Sequence, residues 1–228
     1  MCGRFAQGDM DAIYKKYKVA ITNYLIKKIK PRYNIAPAQN VPVVYNDKGN
    51  KLVSMRWGLI PHWAKDPKIG YKFINARSET VHEKPAFKKS FQNMRCIVPA
   101  SGFYEWYRSG KDRYPHYIYH KSGDIFSFAG IYDIWTDVEG RNFKTFAILT
   151  TEANKIIEPI HDRMPVILEK DEEKIWLNDD LNDLDELTSL FDPYPEDLMV
   201  EHEVSRDVNS IRNEGVELIK QKSKSTLL

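Results

Sequence analysis

The chain has 228 residues, 42% of them hydrophobic and 29% charged, with a formal net charge of +2; this is the composition of a globular protein long enough to bury a proper core. No apolar run approaches the ~20 residues of a membrane span, and no apolar stretch marks a secretory signal, so a cytoplasmic protein with no membrane partner is expected. Two cysteines, Cys2 and Cys96, are too few for a disulfide framework, and with six scattered histidines and neither CxxC nor HExxH no metal is expected.

The small net charge hides a split. Residues 1–123 hold 23 Lys+Arg against 8 Asp+Glu, a balance of +15, and residues 124–228 hold 11 against 24, a balance of −13. Two readings fit: an anion-binding face, nucleic acid being the common case, or a basic half paired with an acidic half inside one fold.

In chain order, Asp9 caps a short helix to Val19 with Ile13, Tyr14 and Tyr17 on one face. Lys27, Lys28, Lys30 and Arg32 form a basic loop, followed by an irregular segment at Asn34–Pro37. Val41–Tyr45 and Lys51–Trp57 flank a turn-rich linker and predict a β-hairpin. Arg56–Trp63 reads as a loop with two tryptophans, either folded into the core, the leading reading, or offered as a stacking platform for bases. Asn75–Thr80 is expected to open a helical stretch to about Ser90, broken at Pro85, with Asn75 and Arg77 at a helix start suited to a phosphate.

From Arg95 to Thr151 five runs rich in Val, Ile, Tyr, Phe and Trp predict strands at Arg95–Pro99, Phe103–Tyr107, Tyr114–His120, Ile125–Trp135 and Phe143–Thr151. Their spacing points to an antiparallel meander or partly closed barrel. A helix near Glu152–Glu158, a strand at Pro165–Leu168, helices at Asp171–Leu177 and Leu184–Phe191, and a strand at Met199–Val204 complete the expected elements. No linker or repeat divides the chain. The fold class expected is α+β, one domain over 1–220 around an antiparallel, partly barrel-like sheet with flanking helices, and a disordered tail over 221–228.

Three residues could carry chemistry. If Met1 is removed, Cys2 presents an amine and a thiol two carbons apart. A 1,2-aminothiol condenses with an aldehyde: the amine forms a Schiff base and the thiol closes onto it as a thiazolidine. An α-amine has a pKa of roughly 7.7–8.0 against about 10.4 for lysine, so its nucleophilic fraction at neutrality is far larger. Glu105, among aromatics on a strand, is either on the solvent face or set in a pocket where desolvation would raise its pKa. His161 lies on a loop where it can titrate near neutrality. Each alone has an ordinary structural reading as well.

The combination is specific. Met1-Cys2-Gly3-Arg4-Phe5, Asn34-x-Ala36-Pro37, Arg56-Trp57-Gly58-Leu59-Ile60-Pro61, Asn75-Ala76-Arg77-Ser78-Glu79-Thr80, Arg95-Cys96-x-x-Pro99, Gly102-Phe103-Tyr104-Glu105-Trp106 and His161-x-Arg163-Met164-Pro165 occur in this order. This pattern resembles the SRAP family, the SOS-response-associated peptidases understood as abasic-site processing proteins, over residues 1 to about 170. The resemblance implies a DNA-repair protein whose partner is single-stranded DNA containing abasic sites; a monomer, nucleoid-associated when bound to DNA and with no cofactor, is expected.

It also implies roles. The released Cys2 would form a thiazolidine crosslink with the ring-opened sugar. Glu105 would position and deprotonate the amine and reverse the crosslink, His161 would protonate the sugar ring oxygen, and Asn75 would bond the opened sugar. Arg4, Arg77 and Arg163 would hold phosphates, and Trp63 or Trp106 would stack at neighbouring bases. AP-lyase cleavage from the Schiff base, and removal of Met1 by the protein itself or by an aminopeptidase, belong to the same expectation. The rivals are a cysteine peptidase or amidohydrolase with Cys2 as nucleophile, and a non-covalent single-strand binder.

Overall fold

The computed structural model describes residues 2–19 and 29–223. It contains twelve strands among the described residues: β1 Phe5–Gln7, β2 Arg32–Ile35, β3 Asn40–Asn46, β4 Asn50–Trp57, β5 Asn75–Arg77, β6 Arg95–Ala100, β7 Gly102–Ser109, β8 Asp112–His120, β9 Phe126–Thr136, β10 Asn142–Glu152, β11 Arg163–Pro165 and β12 Met199–Glu203. Four short α-helices accompany them: α1 Met10–Tyr17, α2 Lys88–Asn93, α3 Glu172–Trp176 and α4 Leu184–Thr188. The chain is α+β and mostly sheet.

Five strands close on themselves. β10 pairs β4 in parallel, β4 pairs β3, β3 pairs β6, β6 pairs β9, and β9 returns to β10, so the ring has no free edge among these members. β5 and β11 continue the two edges of β10, meeting it at Thr150 from opposite sides. A second, open sheet runs β12-β8-β7-β1-β2.

The strands use both faces. Ile97, Ala129, Ile131, Ala147 and Leu149 join α1–α4 in one apolar cluster. Their alternate neighbours Cys96, Val98, Phe128, Phe146 and Ile148 join Phe5, Phe103 and Ile118 of the open sheet in another. Period-two alternation of the β-strand thus welds helices to one side of the wall and the open sheet to the other.

Several expectations shift. Asn75–Arg77 is strand, not helix start, because it pairs in parallel with Ile148–Thr150; a 3-10 turn follows at Ser78–Thr80 and α-helix forms at α2. Asn34 and Ile35, expected as irregular, belong to β2, while Lys27 and Lys28 of the basic cluster lie outside the described residues. Ala153–Ile160 makes turns rather than a helix, Pro159 lacking the amide to continue one. The strand expected at Pro165–Leu168 is β11, which starts two residues earlier and ends three earlier. The five central strands are not one meander: β8 and β9 fall in different sheets, and β10 takes two parallel neighbours. Of the expected tail, Gln221 bridges Val204 and Lys222 bonds Glu203, whereas 224–228 lie outside the described residues.

Candidate active site

β1 determines where the first residues lie. Phe5 pairs Phe103 and Ala6 pairs Gly102, and the Tyr104 amide donates to the Arg4 carbonyl at 2.9 Å. Extending this antiparallel register by two residues sets Glu105 opposite Gly3. Alternation along β7 puts Glu105 on the face of Phe103, which shares its apolar cluster with Cys2. Cys2 is fully buried and Glu105 is 3% exposed.

β5 brings the third member. Asn75 Nδ2 donates to the Cys2 carbonyl at 2.9 Å, while its Oδ1 is buried without a partner. A buried orphan oxygen beside the candidate nucleophile is an acceptor left for a ligand hydroxyl. His161 ends the turn before β11, half-buried, its backbone amide held by the Ile157 carbonyl at 2.8 Å. Its Nδ1 accepts from the Arg163 amide at 3.0 Å and lies 2.8 Å from Asp162 Oδ1. The first contact suits the neutral ring, with the proton on Nε2. The second suits the charged ring, with Nδ1 donating.

Electrostatics ties the group together. Burial pushes the Cys2 thiol far up, and the Glu105 carboxylate adds to the rise. Burial also pushes the Glu105 carboxyl up, opposed by the positive amino end of the chain. Burial lowers His161, with the same amino end and Arg108 acting in the same direction and Asp162 against. Desolvation thus moves the carboxyl up and the imidazole down, a pair of perturbations of the kind that clusters at acid–base sites.

The basic and aromatic residues are placed unequally. Arg77 is exposed at the end of β5 and forms no ion pair among the described residues. Arg4 is half-buried: its Nη1 donates to Asn34 Oδ1 at 2.5 Å and to the Val208 carbonyl at 2.7 Å, and its guanidinium lies 5.9 Å from the Trp106 ring. Trp106 is half-buried, its indole N–H donating to Asn209 Oδ1 at 2.8 Å. Arg163 is different again. It is 8% exposed, and both of its terminal nitrogens donate to the Glu79 carboxylate, so its guanidinium is committed inside the protein.

Trp63 is 54% exposed, against the core reading that led in the sequence, while Trp57 takes the core place at 0%. Its loop is braced. The His62 amide and Nδ1 both meet Asp133 Oδ2, at 2.9 and 3.0 Å, the Ile60 amide donates to Thr145 Oγ1, and Trp135 Nε1 donates to the Ala64 carbonyl. Gly58, at φ +118°, lets the loop close: a Cβ there would lie 2.6 Å from the Gly70 carbonyl oxygen. A rigid loop that holds a tryptophan in water presents a ready stacking surface.

Sequence reasoning missed three contributors. Asn34, 1% exposed, donates to the carbonyls of Val208, Ser210 and Asn213 and so latches the C-terminal segment beside Arg4. Asp133 braces the Trp63 loop, and Glu79 holds Arg163. Only Asn34 and Glu79 lay inside quoted motifs, and nothing there named their partners. No group of three or more His, Cys, Asp or Glu suited to a metal occurs among the described residues.

Comparison with known proteins places this geometry. A family model described as SOS response associated peptidase (SRAP) matches residues 1–211, further than the motifs alone reached. The abasic site processing protein YoqW of Bacillus subtilis (strain 168) is 48% identical over 223 residues, covering 96% of this chain and 99% of that protein. The abasic site processing protein HMCES of Xenopus tropicalis is 34% identical over 218 residues, covering 82% and 64%. A crystal structure of a protein from Bacteroides thetaiotaomicron superposes with a TM-score of 0.87 at 29% identity, covering 97% of this chain and 100% of that one.

Proposed function

The chain belongs to the SOS response associated peptidase (SRAP) family, and from that premise we propose that it senses abasic sites in single-stranded DNA and captures them covalently through Cys2. The observation that carries the reading is the burial of Cys2 within electrostatic reach of the buried Glu105, its carbonyl held by Asn75.

The chemistry begins when removal of Met1 frees the Cys2 amine. The abasic sugar opens to an aldehyde at C1′: the C1′–O4′ bond breaks as the C1′ hydroxyl proton is passed to the ring oxygen, which accepts a hydrogen bond from the Nε2–H of neutral His161 as it leaves. The amine adds to C1′ and Glu105 takes the proton it sheds. Glu105 hands that proton to the former carbonyl oxygen, which takes the second amine proton as well and departs as water, leaving an imine. The thiol then adds to the imine carbon and its proton passes to nitrogen, closing the thiazolidine. Two bonds form at C1′, to nitrogen and to sulfur, and one water is released. Asn75 Oδ1 accepts from a hydroxyl of the opened sugar. Glu105 relays the same proton in the opposite direction when water reopens the ring.

The raised thiol pKa favours this over peptide hydrolysis. A cysteine peptidase needs a thiolate, and an environment that lowers the thiol pKa; burial here does the opposite. Ring closure is intramolecular, and proximity stands in for thiolate population. Where the thiol is slow, the imine acidifies the C2′ proton and β-elimination of the 3′ phosphate gives strand cleavage, the lyase branch. Arg77 and Arg4 hold flanking phosphates, while Trp63 and Trp106 stack on neighbouring bases.

The test is a denaturing gel of the Met1-processed protein with abasic and intact single strands. A retarded band with the abasic strand alone supports the reading. Absence of any heat-stable band removes it, and binding of both strands without crosslinking returns the non-covalent rival.

A further inference from the structure

Arg163 lies on β11 and Glu79 follows β5, and these two strands sit on opposite edges of β10 at Thr150. The Arg163 side chain crosses that strand. Nη1 donates to Glu79 Oε1, Nη2 donates to Oε2 at 2.9 Å, and Nη2 also donates to the Thr150 carbonyl. A bidentate arginine–carboxylate pair fixes orientation as well as distance. The guanidinium bond holds the Glu79 carboxyl below the usual range, so the pair is charged at neutrality.

The same arginine touches the acid–base histidine through its backbone. Its amide donates to His161 Nδ1 at 3.0 Å. An imidazole nitrogen that accepts an amide cannot carry the proton, which leaves Nε2–H as the donor of the neutral ring. Asp162 Oδ1, 2.8 Å from the same Nδ1 and on an 82% exposed side chain, favours the opposite state. The ring therefore stands between two partners, and the position of the Arg163 amide decides between them.

We propose that Glu79 is a positioning residue: acting through Arg163, it fixes the amide that His161 Nδ1 accepts and so keeps the proton on Nε2. Glu79 also sits two residues beyond Arg77 and four beyond Asn75, so the ion pair braces across β10 the two strands that its ladder aligns. The catalytic consequence rests on the crosslinking reading; the effect on the His161 ring does not. Among the described residues, Asp162 and Arg108 act on that ring through their charge and the Arg163 amide bonds it.

The experiment is Glu79→Gln in the full chain, read by the ¹⁵N shifts of the His161 ring across pH and by the crosslinking rate. The variant is isosteric, and Glu79 is about half exposed at its side chain; Arg163→Lys is the second variant should the first fold poorly. In the wild type the neutral ring shows an Nε2–H pattern. Glu79→Gln shifts it toward a mixed Nδ1–H and Nε2–H pattern, and crosslinking slows by about tenfold, a part of the roughly 100-fold an acid–base group supplies. Glu79→Asp restores part of both. An unchanged tautomer in both variants overturns the proposal. So does faster crosslinking in Glu79→Gln, which would mean that Glu79 merely withholds Arg163 from DNA. If the wild type does not crosslink at all, the ring shifts still decide the positioning claim, while the crosslinking reading fails separately.

Discussion

Asn75 Nδ2 donates to the Cys2 carbonyl at 2.9 Å, tying the first residues of the chain to a strand whose ladder partner is β10 of the barrel. Asn75→Ala leaves that carbonyl without this donor at a cost of about 1 kcal/mol. The expected outcome is a small fall in melting temperature with a loss of roughly tenfold or more in crosslinking rate, as near-attack geometry loosens. Equal rates in the two proteins would show that Cys2 needs no such tether.

Glu105 links stability to pH. Its folded pKa is raised, chiefly by burial. A raised pKa stabilises the fold below the unfolded carboxyl value, about 4.3, and that contribution is lost as pH rises through the folded value. Glu105→Gln is therefore expected to melt higher than wild type at pH 8, with the gap closing toward pH 4, while crosslinking falls. Thermal melts across that range check the sign.

Arg77 and Arg163 should behave differently despite their shared charge. Arg77→Ala is expected to reduce the salt slope of binding to single-stranded DNA by about one and leave melting unchanged. Arg163→Ala, which breaks the Glu79 pair, is expected to lower stability by on the order of 2 kcal/mol, between the values for exposed and buried pairs. Its salt slope should hold.

Trp63 is exposed at 54%, so Trp63→Ala is expected to leave the melting temperature in place. Binding of a single strand should weaken by about 1–3 kcal/mol, the contribution of one stacked base. Asp133→Asn, which loosens the brace at His62, should weaken binding in the same direction by less. Fluorescence titration of both variants measures this.

Much of the architecture was legible because the strands carry their own period. The hairpin of β3 and β4 and the runs that became β6 to β10 follow from alternation and turn residues. What failed has a physical cause. Asn75–Arg77 is a three-residue strand with no period of its own, formed because β10 runs on past its pairing with β4 and offers the next residues of that edge. Ring closure depends on one long strand taking partners on both sides, which no local pattern encodes. At the site, Cys2, Glu105 and His161 were nameable from motifs. That Arg163 points inward to Glu79, and that Asn34 binds the chain 174 to 179 residues later, are facts of packing.

The most direct measurement is mass spectrometry of the crosslinked, protease-digested product, with thiols alkylated beforehand. The account predicts that the peptide beginning at Cys2 gains the sugar fragment less one water and that its sulfur resists alkylation, because both amine and thiol are bonded to C1′. A crosslinked peptide from elsewhere in the chain, or a Cys2 sulfur that still takes the alkylating reagent, would contradict it.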